Sequence, residues 1–194
     1  VAHVEAGLRS GNSERPFPEE VNRQVISRYS KLHFAPTKVA RVNLLSEGIK
    51  DENIFVVGNT IVDTLRRQTS QKQIFTKKVL EDTLLVTLHR RENFEVGIAK
   101  VCKALNRFAA NNKNVKVLFV RHSNPKTANE VSKELVLGRN VKLIQPTTHL
   151  DLLKLMINSR CILTDSGGIQ EEAFLLNKKI LIARTETERP EVLM

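Results

Sequence analysis

Cysteine and aromatic residues are scarce in this 194-residue chain: two cysteines, and aromatics at 5%. Cys102 and Cys161 sit inside regular-looking segments without metal-ligand spacing. This argues against a disulfide framework and for a reducing compartment, so a cytoplasmic protein is expected. No apolar run approaches the roughly 18 residues needed to cross a bilayer, and no charged region leading into an apolar one opens the chain. No membrane partner is expected, and any targeting segment would lie upstream of Val1. His3, His33, His89, His122 and His149 form neither a His-Glu-x-x-His motif nor a Cys/His cluster, so no metal is expected.

Acidic residues are outnumbered, 21 against 31 Lys and Arg, which gives a formal charge of +10. The excess is local, with 11 Lys/Arg and 3 Asp/Glu in residues 98–154. An anionic partner follows. The aromatics of that stretch, Phe108 and Phe119, fall at core-like positions, and no stacking platform accompanies the charge. A basic face around an anionic small-molecule cleft is therefore expected rather than a nucleic-acid surface.

The remainder is ordinary globular composition, 41% apolar and 27% charged, enough for one large domain or two small ones. Short β-branched apolar runs recur at 54–57, 84–87, 115–120, 141–144, 161–164 and 180–183, and helical patterns separate them. Ile98, Val101, Leu105 and Phe108 mark one face of such a helix. This alternation predicts an α/β fold with a parallel, doubly wound sheet, whose ligands sit at the carboxyl ends of the strands. Residues 1–75 read differently. A loop with Pro16 and Pro18 precedes helical stretches at 19–30 and 37–47, one clear strand follows, and the polar stretch 66–78 is the candidate linker. The division expected is the tail of one domain at 1–75 and most of a second at 76–194. Val1 falls directly into a motif and Met194 follows an unfinished helical pattern, so a fragment is expected.

Leu163-Thr164-Asp165-Ser166-Gly167-Gly168-Ile169 reads as a buried strand, a turn and a helix start. Backbone N–H groups freed at a helix start bind phosphate, and two glycines let an anion approach without meeting a Cβ; a glycine-cornered turn that binds nothing is the alternative. Four further segments carry candidate chemistry. In His3-Val4-Glu5-Ala6-Gly7, a strand end broken by Gly7, His3 and Glu5 share a side by alternation, and Glu5 is a candidate base unless the segment is a plain surface loop. Pro18-Glu19-Glu20 is a helix entrance whose acids suit the dipole, although one acid of the pair could instead face a cleft. His89-Arg90-Arg91 follows a strand directly, at the edge where guanidinium groups could grip a diphosphate, and Arg121-His122 repeats the pattern more weakly. Arg189 could return to the same anion or pair with nearby glutamates.

In this order, the motifs HVEAGLRS, PFPEEVNR, VGNTIVD, HRREN, TDSGGIQEEA and TERPE closely resemble those of the non-hydrolysing UDP-N-acetylglucosamine 2-epimerases, over essentially the whole chain. The resemblance implies two Rossmann-like domains of the GT-B-like kind, the N-terminal one incomplete here, with substrate in the cleft between them and no cofactor. It implies Glu5, Glu19 and His89 as catalytic residues. Ser166, Gly167 and Gly168 would hold the diphosphate, Glu172 the ribose hydroxyls and Arg189 the nucleotide. Thr147 and Leu152 fall in the stretch where relatives contact uracil, and His149 stands there where tyrosine is frequent. Arg90 and His122 match residues that in some members hold a second, regulatory UDP-sugar.

The reaction so implied interconverts UDP-N-acetylglucosamine and UDP-N-acetylmannosamine, by anti elimination of UDP to a 2-acetamidoglucal and re-addition to the other face. A homodimer is implied for the full-length protein, and the fragment alone is expected to be inactive. Alternatives are an epimerase of a UDP-diacetamido-uronic acid, a glycosyltransferase of the same architecture, and a non-catalytic nucleotide-sugar or nucleic-acid binding module.

Overall fold

A computed structural model describes residues 1–69, 82–88 and 96–184. The described chain divides into two compact units, Val1–Arg67 and Gln68–Arg184, so the border expected after residue 75 lies outside the described residues.

The first unit is a three-stranded parallel sheet in the order β1 (Ala2–Val4), β2 (Leu32–Ala35), β3 (Ile54–Val56). Helix α1 (Glu19–Tyr29) connects the first two strands, and α2 (Lys38–Ser46) with a short 3-10 turn (Asp51–Asn53) connects the next two. Thr37 caps α2 by accepting from the Ala40 N–H at 3.1 Å. The small core of Ala6, Ala35, Ala40, Leu44 and Ile54 lies between that helix and the sheet. Strand β2 was not foreseen. Its centre is His33, a residue that reads as polar in the sequence but is 1% exposed here. The expected linker also begins later, because α3 (Thr60–Thr69) is helical over the first four of its residues.

The second unit contains β4 (Thr83–Thr87), α4 (Val96–Asn111), β5 (Lys116–Val120), α5 (Pro125–Glu134), β6 (Val141–Ile144), α6 (His149–Asn158), β7 (Cys161–Thr164), α7 (Gly167–Leu175) and β8 (Lys179–Ile182). All five strands are parallel, in the order β6-β5-β4-β7-β8. Right-handed crossovers place α4 and α5 on one face and α6 and α7 on the other. The core on the α4 side contains Leu84, Val86, Ile98, Cys102, Leu105, Val117, Phe119, Val131 and Val141. On β4, Leu85 and Thr87 alternate with that set and are themselves fully buried, so the central strand is covered on both faces and reads as a continuous apolar run.

Strand order decides where a ligand can sit. From β4 the chain winds outward through β5 to β6, and it then returns to β7 and winds the other way to β8. The carboxyl ends of β4 and β7 therefore lie side by side while the connections leaving them diverge, which is the switch point at which open α/β sheets bind ligands.

Candidate functional site

At the switch point, the Thr87 hydroxyl donates to the Thr164 hydroxyl at 2.8 Å, and both residues are fully buried. Thr164 Oγ1 also accepts from the Ser166 N–H at 3.1 Å, so the ends of β4 and β7 and the turn that follows are tied at one atom. Asp165, which follows Thr164 in that turn, is also fully buried. Ser166 then takes the N-cap position of α7 with extended backbone, and its side chain makes no capping hydrogen bond. The first helical bond runs from Gln170 N to Ser166 O at 3.1 Å. This leaves the N–H groups of Gly167, Gly168 and Ile169 without intrahelical acceptors, at the positive end of the helix dipole. Among the described residues, a Cβ placed on Gly168 would meet only Ser166 Oγ, at 4.0 Å, so they leave the space over the helix start open. The turn thus has the geometry of an anion cradle.

Glu172 lies farther along α7, 6% exposed. Its Oε1 is 2.7 Å from Nε2 of His149, the first residue of α6. Thr148 caps that helix by accepting from the Asp151 N–H at 3.2 Å, while its own hydroxyl donates to Asp151 Oδ2 at 2.8 Å. Hydrogen bonds from Lys154, and then Thr148, hold the Asp151 carboxyl below its ordinary pKa. Near this cap, Thr147 is exposed and Leu152 half-buried. After β5, the His122 ring accepts the Asn124 N–H at 2.9 Å through Nδ1, which leaves its proton on Nε2. A cavity of about 610 Å³ in this unit lies beside α4 and is lined by Leu84, Val101, Leu105, Phe108 and Leu181. Its lining is mostly apolar and also includes Thr83, Arg160, Cys161 and Lys179. His89, Arg90 and Arg189 lie outside the described residues.

In the first unit the structure corrects one sequence expectation. Glu5 does not continue the alternation of β1, because it turns into the left-handed region with φ 58°, so it does not share a strand face with His3. The backbone bends there and again at Gly7, φ +86°, where a Cβ would stand 2.1 Å from Ala40 O. Only glycine allows α2 to approach this loop so closely. Asn43 Nδ2 adds a hydrogen bond to Gly7 O at 2.9 Å.

Arg9 then anchors the loop. Its guanidinium grips Glu47 with Nε to Oε1 at 2.6 Å and Nη2 to Oε2 at 2.8 Å, and Nη2 also reaches Ser27 Oγ at 3.0 Å. The fork geometry makes this a bidentate pair. Of the two acids at the helix entrance, Glu19 is exposed and Glu20 fully buried. Glu20 Oε2 accepts the Ser10 N–H at 3.0 Å and lies 3.6 Å from Arg23, so this residue, which the sequence did not single out, ties the loop to α1. His3 and His33 stand edge to face with centroids 6.3 Å apart. Burial first, then for His3 the neighbouring His33, Arg9 and Arg23, lowers the pKa of both rings.

The family model for UDP-N-acetylglucosamine 2-epimerase matches residues 1–194. The UDP-N-acetylglucosamine 2-epimerase of Salmonella typhimurium strain LT2 is 43% identical over 206 residues, covering 100% of this chain and 54% of its own length. The crystal structure of UDP-GlcNAc 2-epimerase from Neisseria meningitidis, bound to UDP-GlcNAc, superimposes with a TM-score of 0.92 at 39% identity, over 100% of this chain and 55% of that one. The Methanocaldococcus jannaschii UDP-GlcNAc 2-epimerase, in complex with UDP-GlcNAc and UDP, gives 0.83 at 38% identity, over 100% and 56%. The chain thus spans about half the length of the relatives it matches. Its paired parallel α/β units agree with the GT-B-like fold class expected from sequence. No helix among the described residues is long and apolar enough to cross a membrane. With the whole chain matched by the family model and a relative 43% identical along it, this chain belongs to the UDP-N-acetylglucosamine 2-epimerase family.

Proposed function

We propose that the intact protein interconverts UDP-N-acetylglucosamine and UDP-N-acetylmannosamine. The observation that carries this reading is the uncapped, glycine-opened start of α7 at the switch point, in a chain 43% identical to a UDP-N-acetylglucosamine 2-epimerase. A diphosphate is the ligand chemistry such a helix start recognises.

Inverting C2 of an N-acetylhexosamine requires removal of a proton that nothing adjacent activates. Elimination solves the problem: a base takes the C2 proton while the bond from C1 to the β-phosphate oxygen breaks, which gives a glycal and UDP. Re-addition of UDP at C1, with a proton delivered to the other face of C2, gives the epimer, and atoms balance without any redox step. The residues are assigned in this reading as follows. Glu5 and Glu19 transfer protons, and His89 acts at the reacting sugar and phosphate. Ser166, Gly167 and Gly168 stabilise the departing diphosphate through hydrogen bonds and the helix dipole, which is where charge develops. Glu172 takes the ribose hydroxyls, Thr147 and Leu152 border the uracil, and Arg189 holds the nucleotide. Arg90 and His122 would hold a second, regulatory UDP-sugar. The reading includes a cytoplasmic enzyme working as a homodimer; free Cys102 and Cys161 fit a reducing compartment, and sedimentation of the intact protein tests the dimer.

The test is incubation of the intact protein with UDP-N-acetylglucosamine, followed by proton NMR. Appearance of UDP-N-acetylmannosamine without an added acceptor supports the reading. Sugar transfer only when an acceptor is supplied, or no change at all, refutes it.

A further inference from the structure

Three side chains from three helices form a line: Gln68 in the last turn of α3, His149 at the start of α6 and Glu172 in α7. Gln68 Nε2 lies 3.3 Å from His149 Nδ1, and His149 Nε2 lies 2.7 Å from Glu172 Oε1. With the Gln68 amide nitrogen facing Nδ1, that ring nitrogen accepts and the Nε2–H is directed at the carboxylate; the Gln68 amide oxygen is buried without a hydrogen-bond partner among the described residues.

The far side of the carboxylate is unusual. Glu172 is 7% exposed at its side chain, and its Oε2 is buried without a hydrogen-bond partner among the described residues. A buried carboxylate oxygen that accepts nothing is destabilising, and a donor arriving with a ligand would relieve that cost. Nor is the imidazole needed to finish α6, whose start is already capped by Thr148 with Asp151.

We propose that His149 is a positioning residue for nucleotide recognition. Its Nε2–H, directed by Gln68, holds Glu172 by one oxygen so that the carboxylate is set to accept from the ribose diol of the bound nucleotide. The proposal rests on the reading of this unit as a UDP-sugar site and adds the residue that acts on Glu172. It follows the logic by which a partner that orients a ligand-contacting group contributes without touching the ligand.

The experiment is isothermal titration of the intact protein with UDP and with 2′,3′-dideoxy-UDP, for wild type and for Glu172→Ala, His149→Ala, His149→Gln and Gln68→Ala. Wild type prefers UDP by about tenfold, the size of a hydrogen bond to a charged acceptor. Glu172→Ala abolishes that preference. His149→Ala reduces it to about threefold or less while leaving dideoxy-UDP affinity unchanged, Gln68→Ala falls between, and His149→Gln, which retains an N–H donor, restores it. A merely structural role would weaken both ligands alike. The proposal is overturned if His149→Ala keeps the full preference, weakens both ligands equally, or tightens UDP binding, the last meaning that the ring competes with the ribose. If wild type binds neither ligand, the UDP reading itself fails and this proposal falls with it; if wild type prefers UDP and only the His149 variants disagree, the UDP reading stands.

Discussion

Replacing Gly7 by alanine isolates what holds the Glu5 loop in place. Two costs add. Residue 7 has φ +86°, a left-handed conformation that costs a Cβ-bearing residue about 1 kcal/mol. The new Cβ would also lie 2.1 Å from Ala40 O, 2.7 Å from Ala40 C and 3.0 Å from Leu44 Cγ. The first two contacts are backbone and cannot rotate aside. Loop and helix must part by roughly 1 Å, and since Ala40 and Leu44 are buried core residues, this is overpacking worth about 1–3 kcal/mol. The total is about 2–4 kcal/mol. Gly48 supplies the control, because it has φ +82° but no described residue within 4 Å of its Cβ, so Gly48→Ala carries the conformational cost alone, about 1 kcal/mol. Equilibrium urea unfolding of both variants gives the difference, which should be at least about 1 kcal/mol. If the two variants agree to within about 0.5 kcal/mol, the close approach of α2 is not what requires glycine, and the account of the loop is wrong.

The remaining predictions concern titration, reactivity and the anion cradle. Both His3 and His33 have lowered pKa values in the folded chain, so the unfolded chain binds more protons as the pH falls below about 6.5. Stability of the first unit is therefore full above that pH and declines below it, and His33→Phe should flatten the decline in thermal melts recorded from pH 7.5 to 5. Cys102 is fully buried, and its pKa is pushed up to about 11 by that burial and then by Glu134 and Glu130. A thiol reagent at pH 8 should leave it unmodified until urea unfolds the second unit, as mass spectrometry of the labelled peptide would show. Among the described residues the Cβ of Gly168→Val would meet only Ser166 Oγ, at 4.0 Å, so this variant should fold yet lose about tenfold or more in UDP affinity by calorimetry, because its side chain occupies the phosphate's path. Normal affinity in a folded Gly168→Val would refute the cradle.

The second unit was the more legible from sequence, for a physical reason. Its central strand β4 is buried along its whole length and stands out as an unbroken apolar run, and the runs at 141–144 and 161–164 match β6 and β7 to the residue although these strands are only partly buried. In the first unit β2 carries His33 at its centre, buried by tertiary packing against its neighbours rather than by its own hydrophobicity. The helical extent of residues 66–69 was hidden because Arg66, Arg67 and Gln68 look like linker until the helix is present to order them. Local conformation hid the turn at Glu5, since nothing in the residue itself announces a positive φ. At the helix entrance, adjacent glutamates differ completely in burial because α1 turns Glu20 toward the Ser10 N–H and Glu19 toward solvent. The phosphate turn was readable because its requirement is local: a strand end, two glycines and a helix start. The contact from His149 to Glu172 joins residues 23 apart on different helices, and no local pattern encodes it.

The central claim is that UDP departs and returns while C2 is inverted. It is tested most directly by giving the intact protein UDP-N-acetylglucosamine in heavy water, with a heavy-oxygen label in the bond between C1 and the β-phosphate. The account predicts deuterium at C2 of the product together with movement of the oxygen label into the non-bridging positions of the β-phosphate. Deuterium at C2 with the label left in place would contradict it, since the proton would then be exchanged without cleavage of the bond to UDP.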